Sequence, residues 1–513
     1  MIGAPEPERD SVRARALLGL QWNYLGVAGR VAAQFIAQIA LARLLGPEVF
    51  GTVAAGVLAM GLAAIVAELG LGAALVQKHH LASDDTAFAL GDVVLGGAVL
   101  SLTLVLAAPW IALAFGEQAV GTVVRGLAGA LFLQCLAVVP LALLRRRMDF
   151  GSIQVAQLAG YVSGFVLLGV VLAWAGAGVW SLIAAWWVQS AVTTGLVMVS
   201  AGGLPRPRWR LPRPGSHAFG ASVLLTNLCN WGIDNVDNLI VGRSFGTKAL
   251  GFYALAYSFV RTPTNHAVSS LQAVLFPASA RLQSEQESLR RGYLGAVNAV
   301  GMLSFPVFWG IAGIAAPVVE AFFGRAWMPA SALLVPLALA MPAHAVMALA
   351  GPILWGRGRP DAELRIQSPV LLLMVAVLFI ASRFSIETMA WSVAAIYTLR
   401  AAWMMLRAAK ELAIDQLSLA QAVQGGVILG LTTLLAGASI DAMLNPEVGA
   451  VLRVAIAVTG AATALLLSCW SLRRIVWAPD LTALGESMLP RLPKAVVFIL
   501  RILGLVSRDR FVP

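Results

Sequence analysis

Arg30, Gln34 and Gln38 recur at four-residue steps inside an otherwise apolar run. On a helix that spacing puts all three on one face. A second run carries Asn227, Asn230, Asp234 and Asp237 at steps of three, four and three, again one face, with Asn238 read as pointing nearly opposite to Asp237. Asn23 precedes the first set, Arg261, Asn265 and His266 follow the second, and Glu68 and Arg400 stand in further apolar runs. Guanidinium groups at Arg30, Arg261 and Arg400 suit an anionic group such as a diphosphate. Asn and Gln side chains suit sugar hydroxyls, and the carboxylates of Glu68, Asp234 and Asp237 suit a coupling ion. The structural alternative is mutual neutralisation, for instance Arg261 with Asp234 or Asp237. Both readings stand at this level.

Those polar residues sit in a strongly apolar chain. It has 513 residues, of which 59% are hydrophobic and 12% charged, with mean hydropathy +0.83. Soluble domains carry about 25% charged residues, so a soluble globular enzyme is excluded, as is a disordered chain. The fold class expected is an all-α polytopic membrane protein. Polar groups inside a bilayer are costly unless they face protein or water, so the polar faces should line a hydrated cavity. Cys135, Cys229 and Cys469 are odd in number and lie in apolar stretches, which speaks against a disulfide framework or a zinc site. His79-His80 with Asp84-Asp85 lack helical ligand spacing and read as a solvated loop, so no metal is expected. No Walker A, dinucleotide or HExxH pattern occurs. No cofactor and no catalytic residue is therefore expected, and any transport would draw on an ion or substrate gradient.

Fourteen apolar stretches are expected, over about 17–44, 49–76, 88–115, 120–144, 152–174, 178–200, 218–242, 249–280, 292–318, 328–355, 366–382, 386–408, 418–440 and 448–472. Sorted by alternate loops, twenty-six of the 36 basic residues fall on one side, including Arg145, Arg146, Arg147 and the four arginines of 206–213. Five fall on the other: Arg43, Arg243, Lys248, Arg325 and Arg383. Under the positive-inside rule both termini are expected in the cytoplasm. The net charge of +11 then records topology, and nucleic acid is not an expected partner. Residues 1–16 contain no apolar core, so no cleavable signal peptide is expected. The Pro- and Arg-rich stretch 201–217 reads as a cytoplasmic linker touching anionic lipid. The tail 473–513 holds a short apolar run interrupted by Arg501, suited to an interfacial helix.

The chain repeats itself. ARLLGPEVFG at 42–51 matches GRSFGTKALG at 242–251, pairing Arg43 with Arg243, Gly46 with Gly246 and Gly51 with Gly251. At the same offset Arg30, Gln34 and Gln38 fall on Asn230, Asp234 and Asn238. Arg147, Asp149 and Trp180-Ser181 find counterparts at Arg359, Asp361 and Trp391-Ser392. Two six-helix bundles in the same orientation are expected, 17–200 and 218–408, related by a pseudo-two-fold repeat, with two C-terminal helices in 409–472. Parallel repeats of this kind are a transporter architecture.

The segments that carry a family resemblance are GLQWNYLGVAGRVAAQFIAQIALARLLGPEVFG, the Gly-rich ELGLGAALVQ, and in the second half GRSFGTKALGFYALAYSFVRTP and FPASARL. Over roughly residues 15–470 the chain resembles the polysaccharide-export, Wzx-type and colanic-acid-exporter-like branch of the multidrug/oligosaccharidyl-lipid/polysaccharide flippase superfamily. The resemblance implies two six-helix bundles in a V with two extra helices. It implies a flippase in the bacterial inner membrane, moving undecaprenyl-diphosphate-linked oligosaccharide repeat units by alternating access for exopolysaccharide, capsule or O-antigen synthesis. Expected partners are that lipid-linked oligosaccharide, membrane lipids, a coupling ion (H+ or Na+), and polymerase and export machinery. A cation-coupled multidrug exporter and a lipid II flippase of peptidoglycan synthesis are the alternatives. The motifs do not identify the sugar. Arg30, Arg261 and the polar residues of the first and seventh stretches match such a cavity in character only.

Overall fold

The computed structural model describes residues 6–68, 75, 83–203, 206–209, 217–281, 286–357, 360–445 and 447–472. The tail with its expected interfacial helix, most of the linker, His79-His80, and the side chains of Asn23, Glu68 and His266 lie outside the described set. All regular structure among the described residues is helical.

Helix α1 runs Glu6–Glu68 and is broken at Gly46, where φ is 73° and ψ 174°. A side chain disfavours that conformation, which glycine adopts without a Cβ penalty. Pro47 follows and opens the next rod, at a position where its missing N–H is no loss. The second copy of the motif does the same. Helix α8, His217–Arg281, is broken at Gly246 with φ 83° and ψ 172°. Both breaks fall between the stretches expected on either side of them.

Between these two rods come α2 (Ser83–Phe115), α3 (Gln118–Leu136), α4 (Val138–Arg146), α5 (Phe150–Tyr161), a π-helix over Val162–Gly169, α6 (Val170–Trp174) and α7 (Val179–Ala201). After them come α9 (Gln286–Gly313), α10 (Ala315–Phe323), α11 (Pro329–Met347), α12 (Ala350–Gly356), α13 (Pro360–Ala381), α14 (Ile386–Glu411), α15 (Gln416–Met443) and α16 (Ala450–Ser471). Side-chain caps set several starts: Asp149 accepts from Ser152 N at 3.1 Å, Ser385 from Thr388 N at 3.1 Å, and Asp415 from Ser418 N at 2.9 Å.

Eleven helices among the described residues are long and apolar enough to cross a membrane. The shortfall against the fourteen expected stretches lies at the two broken rods. Helix α1 counts once, over Gly26–Val66, and α8, with its Asn and Asp residues, is not counted. Large apolar side chains face outward, as Leu102, Leu106, Trp110 and Leu113 do on α2. A bilayer solvates such a surface.

The chain divides into two compact units, 1–254 and 255–513, with the division inside α8. In the first unit α1 packs on α3 and α5, α2 on α3, and both α3 and α5 on α7. The described piece of the linker, 206–209, lies along the start of α2. There the Arg208 backbone N–H donates to Ala87 O at 3.0 Å, and its side chain pairs with Asp84. In the second unit α9 packs on α15 and α11, α14 on α11 and α13, and α16 on α15. Polar bonds stitch α9 to α15: Asn298 Nδ2 donates to Ala422 O and Thr433 Oγ1 to Pro306 O, each at 2.9 Å. Bonds of this kind are a normal adhesive between helices in lipid.

Candidate functional site

In the first unit, α1 holds Arg30, Gln34 and Gln38 half-buried, one below another. Arg30 Nη1 donates to Gln157 Oε1 on α5. On α8, Asn227 is exposed and Asn230 and Asp234 are half-buried. Asp237 is fully buried and engaged on both oxygens. Tyr253 OH donates to its Oδ2 at 2.7 Å, and the backbone N–H and Nδ2 of Asn238 donate to its Oδ1 at 2.7 and 3.0 Å. The expected divergence of Asp237 and Asn238 is corrected here. Neighbours on a helix are about 100° apart, and these two short side chains meet.

The repeated turns also meet within this unit. A Cβ built on Gly51 would stand 1.7 Å from Thr247 O, and one built on Gly251 1.9 Å from Pro47 O. Backbone therefore rests on backbone. Glu117, in the turn between α2 and α3, reaches both copies. Its Oε1 accepts from Thr52 Oγ1 at 3.0 Å and its Oε2 from Thr247 Oγ1.

In the second unit Arg261 is half-buried and Asn265 exposed. Arg261 Nη1 donates to Tyr257 OH at 2.9 Å, and its guanidinium lies 5.1 Å from the centre of the Tyr257 ring. Tyr257 OH in turn bonds Tyr397 OH at 2.7 Å, and His344 stacks on the Tyr397 ring at 5.7 Å. One turn along α14, Arg400 is 4% exposed and its Nε donates to Gln367 Oε1 at 2.8 Å. Gln367 Nε2 donates to Glu363 Oε1 at 3.4 Å, and Trp355 Nε1 to Glu363 Oε2 at 2.7 Å.

Chemically these are two kinds of arginine. Arg30 and Arg261 are half-buried guanidinium groups in membrane-embedded helices, and each donates to a neutral side chain, the Gln157 amide and the Tyr257 hydroxyl. Such a group attracts an anion strongly where water is scarce. Arg400 is enclosed by an amide with a carboxylate behind it. The residues missed from the sequence are Tyr257, Tyr397, His344, Gln157, Glu363, Gln367, Glu117, Thr52 and Thr247. Glu363 and Gln367 were visible as an i, i+4 polar pair on an apolar helix. Glu117 carried no local signal.

The family described as polysaccharide biosynthesis protein matches residues 40–332. Among named proteins, the chain is 26% identical over 344 residues to teichuronic acid biosynthesis protein TuaB of Bacillus subtilis, covering 64% of this chain and 69% of that one. It is 27% identical over 320 residues to succinoglycan biosynthesis transport protein ExoT of Rhizobium meliloti, covering 62% and 64%. Against lipopolysaccharide biosynthesis protein WzxC of Escherichia coli it is 23% identical over 336 residues, covering 62% and 65%. The aligned part is thus about two thirds of each relative. Among solved structures, the fold is similar to that of lipid II flippase MurJ in an inward closed conformation. The TM-score is 0.68 at 10% identity, over 89% of this chain and 99% of that one. An inward-facing multidrug transporter of the MATE family gives 0.51 at 16% identity, over 77% and 94%. The matched span of 40–332 covers more than half of the chain: the chain belongs to the family described as polysaccharide biosynthesis protein.

Proposed function

We propose that this protein flips undecaprenyl-diphosphate-linked oligosaccharide repeat units from the cytoplasmic to the periplasmic leaflet of a bacterial inner membrane, by alternating access. The observation that carries this reading is Arg261, a half-buried guanidinium set against Tyr257 in a chain of this family. A diphosphate is the part of such a substrate that must stay attached to lipid while it crosses. A guanidinium is suited to it through paired N–H donors. Arg30 is the second candidate for the same charge. Gln34, Gln38, Asn227, Asn230 and Asn265 are candidates for sugar hydroxyls, and Asp234 for a coupling ion. The bonds around Asp237 and Arg400 favour holding roles for those two. Three relatives are named for three different polymers, teichuronic acid, succinoglycan and lipopolysaccharide. Both termini are taken as cytoplasmic, from the distribution of basic residues.

The test is a clean deletion assayed together for lipid-linked oligosaccharides and surface polysaccharide. Accumulation of one diphosphate-linked repeat unit with loss of the matching polymer is the expected result and names the glycan. Unchanged glycans with raised drug sensitivity would overturn the reading in favour of multidrug export. Loss of peptidoglycan precursor flipping would point to lipid II.

A further inference from the structure

Glu117 is an unusual helix cap. It precedes α3 in an extended conformation, yet its side chain makes no cap bond to that helix. A capping side chain ordinarily accepts from a backbone N–H two or three residues on. This carboxylate is turned instead toward the two repeat-related turns. One oxygen takes the Thr52 hydroxyl at 3.0 Å, a donor that Thr52 shares with Glu48 O at 2.9 Å, and the other takes the Thr247 hydroxyl. Both threonines are nearly buried, at 2% and 5% exposure. Thr52 follows Gly51 in the first copy and Thr247 follows Gly246 in the second. A single carboxylate therefore joins the two copies at the place where Gly51 and Gly251 already touch.

The character of that contact matters. Where Gly51 and Gly251 meet, backbone rests on backbone, and Glu117 with the two threonines spans the contact. The hydroxyl bonds to a charged acceptor are the stronger kind. A junction made this way is firm when closed. We propose that Glu117 is the residue that holds the repeat-related turns together, and that its release of Thr52 and Thr247 is a step of the transport cycle. This rests on the transport reading above. The junction stands beside Arg43, Arg243 and Lys248, the sparse basic set of the sequence, which places it at the outer end.

The test uses the full chain in lipid nanodiscs with no substrate added. Spin labels go on Leu44→Cys and Ser244→Cys, exposed positions that flank the two glycine breaks. The native Cys135, Cys229 and Cys469 are buried. The unmodified junction should give one short-distance population. Glu117→Ala, and separately the near-isosteric pair Thr52→Val with Thr247→Val, should raise the long-to-short ratio roughly tenfold, the scale of losing hydrogen bonds to a charged group. Glu117→Gln, whose amide still reaches both hydroxyls but without the charge, should fall between the parent and Glu117→Ala. Distance distributions for Glu117→Ala and the valine pair that match the parent would overturn the proposal. Shifted distances in a protein whose deletion changes no glycan would leave the holding role of Glu117 standing and sink the substrate reading.

Discussion

Gly51 and Gly251 lie against one another, each where a methyl group would strike the other copy's backbone carbonyl, Thr247 O at 1.7 Å and Pro47 O at 1.9 Å. A repeat visible as a spacing of 200 residues is thus a physical contact between its own two copies. Gly51→Ala or Gly251→Ala forces these turns apart, because the obstacle is backbone that cannot rotate away. Export of surface polysaccharide should fall at least about tenfold in either variant, the scale of overpacking by ~1–3 kcal/mol. Membrane levels measured by immunoblot should stay close to the parent. Full export by both variants would show that the contact can open without consequence.

Arg261→Ala should reduce polysaccharide export and raise the pool of lipid-linked oligosaccharide. Arg261→Lys should recover only part of it, since an ammonium lacks the planar fork. Arg30→Ala should behave similarly, and the double variant should be worse than either. Normal export in both single variants and in the double would remove these arginines from substrate binding.

Tyr257→Phe removes the oxygen that accepts from Arg261 and bonds Tyr397, while leaving the ring beneath the guanidinium. The expected loss is ~1 kcal/mol of positioning, read as a several-fold rise in the substrate concentration for half-maximal flipping in proteoliposomes. That rise should disappear in an Arg261→Ala background, where the tyrosine has nothing left to orient. Equal effects in both backgrounds would mean that Tyr257 acts on packing alone.

Arg400→Leu leaves the Gln367 oxygen, with the Glu363 carboxylate bonded behind it, without its guanidinium donor. Breaking a buried charged arrangement on one side typically costs ~3–5 kcal/mol. A clear drop in the thermal midpoint of the detergent-solubilised protein should follow, and Glu363→Gln in the same chain should restore part of it. An unchanged midpoint would show that the cluster is not structural.

Asp415, at the start of α15 outside the spanning segment, is held below the usual carboxylate range, first by the side-chain hydroxyl of Ser418 and then by its backbone N–H, with Arg290 adding to them. A lowered folded-state value means its contribution is present above the unfolded value and is lost as pH falls through the folded one. Asp415→Asn should therefore lower stability in the neutral region and flatten the acid limb, so that the two stability-versus-pH curves converge at low pH. Thermal midpoints of both proteins across an acid series measure this. Parallel curves would rule out the cap as a contributor.

Much of the architecture was legible because its causes are local. Runs of apolar residues dictate spanning helices, and the Gly46 and Gly246 breaks follow from two glycines at matching positions. Arg30 and Arg261 stood out because charge in an apolar run is costly. What could not be read are partners brought in from distant helices. Gln157 reaches Arg30 across 127 residues, and Tyr397 reaches Tyr257 across 140. Tyr257 is one turn from Arg261, yet a tyrosine in a membrane helix is as ordinary as any aromatic. Glu117 was hidden for another reason: it sits in a turn, where a carboxylate normally meets water and needs no explanation.

Arg400 also bears on how the chain is made. A lone arginine at the middle of an inserting helix costs ~2.5–3.5 kcal/mol at the translocon. By the time α14 emerges from the ribosome, α13 with Glu363 and Gln367 has already been synthesised. The order of synthesis thus delivers the acceptors before the cation that needs them, and α13 and α14 can enter the bilayer as a hairpin. A permuted gene that puts α14 ahead of α13 would present Arg400 to lipid with its acceptors still inside the ribosome.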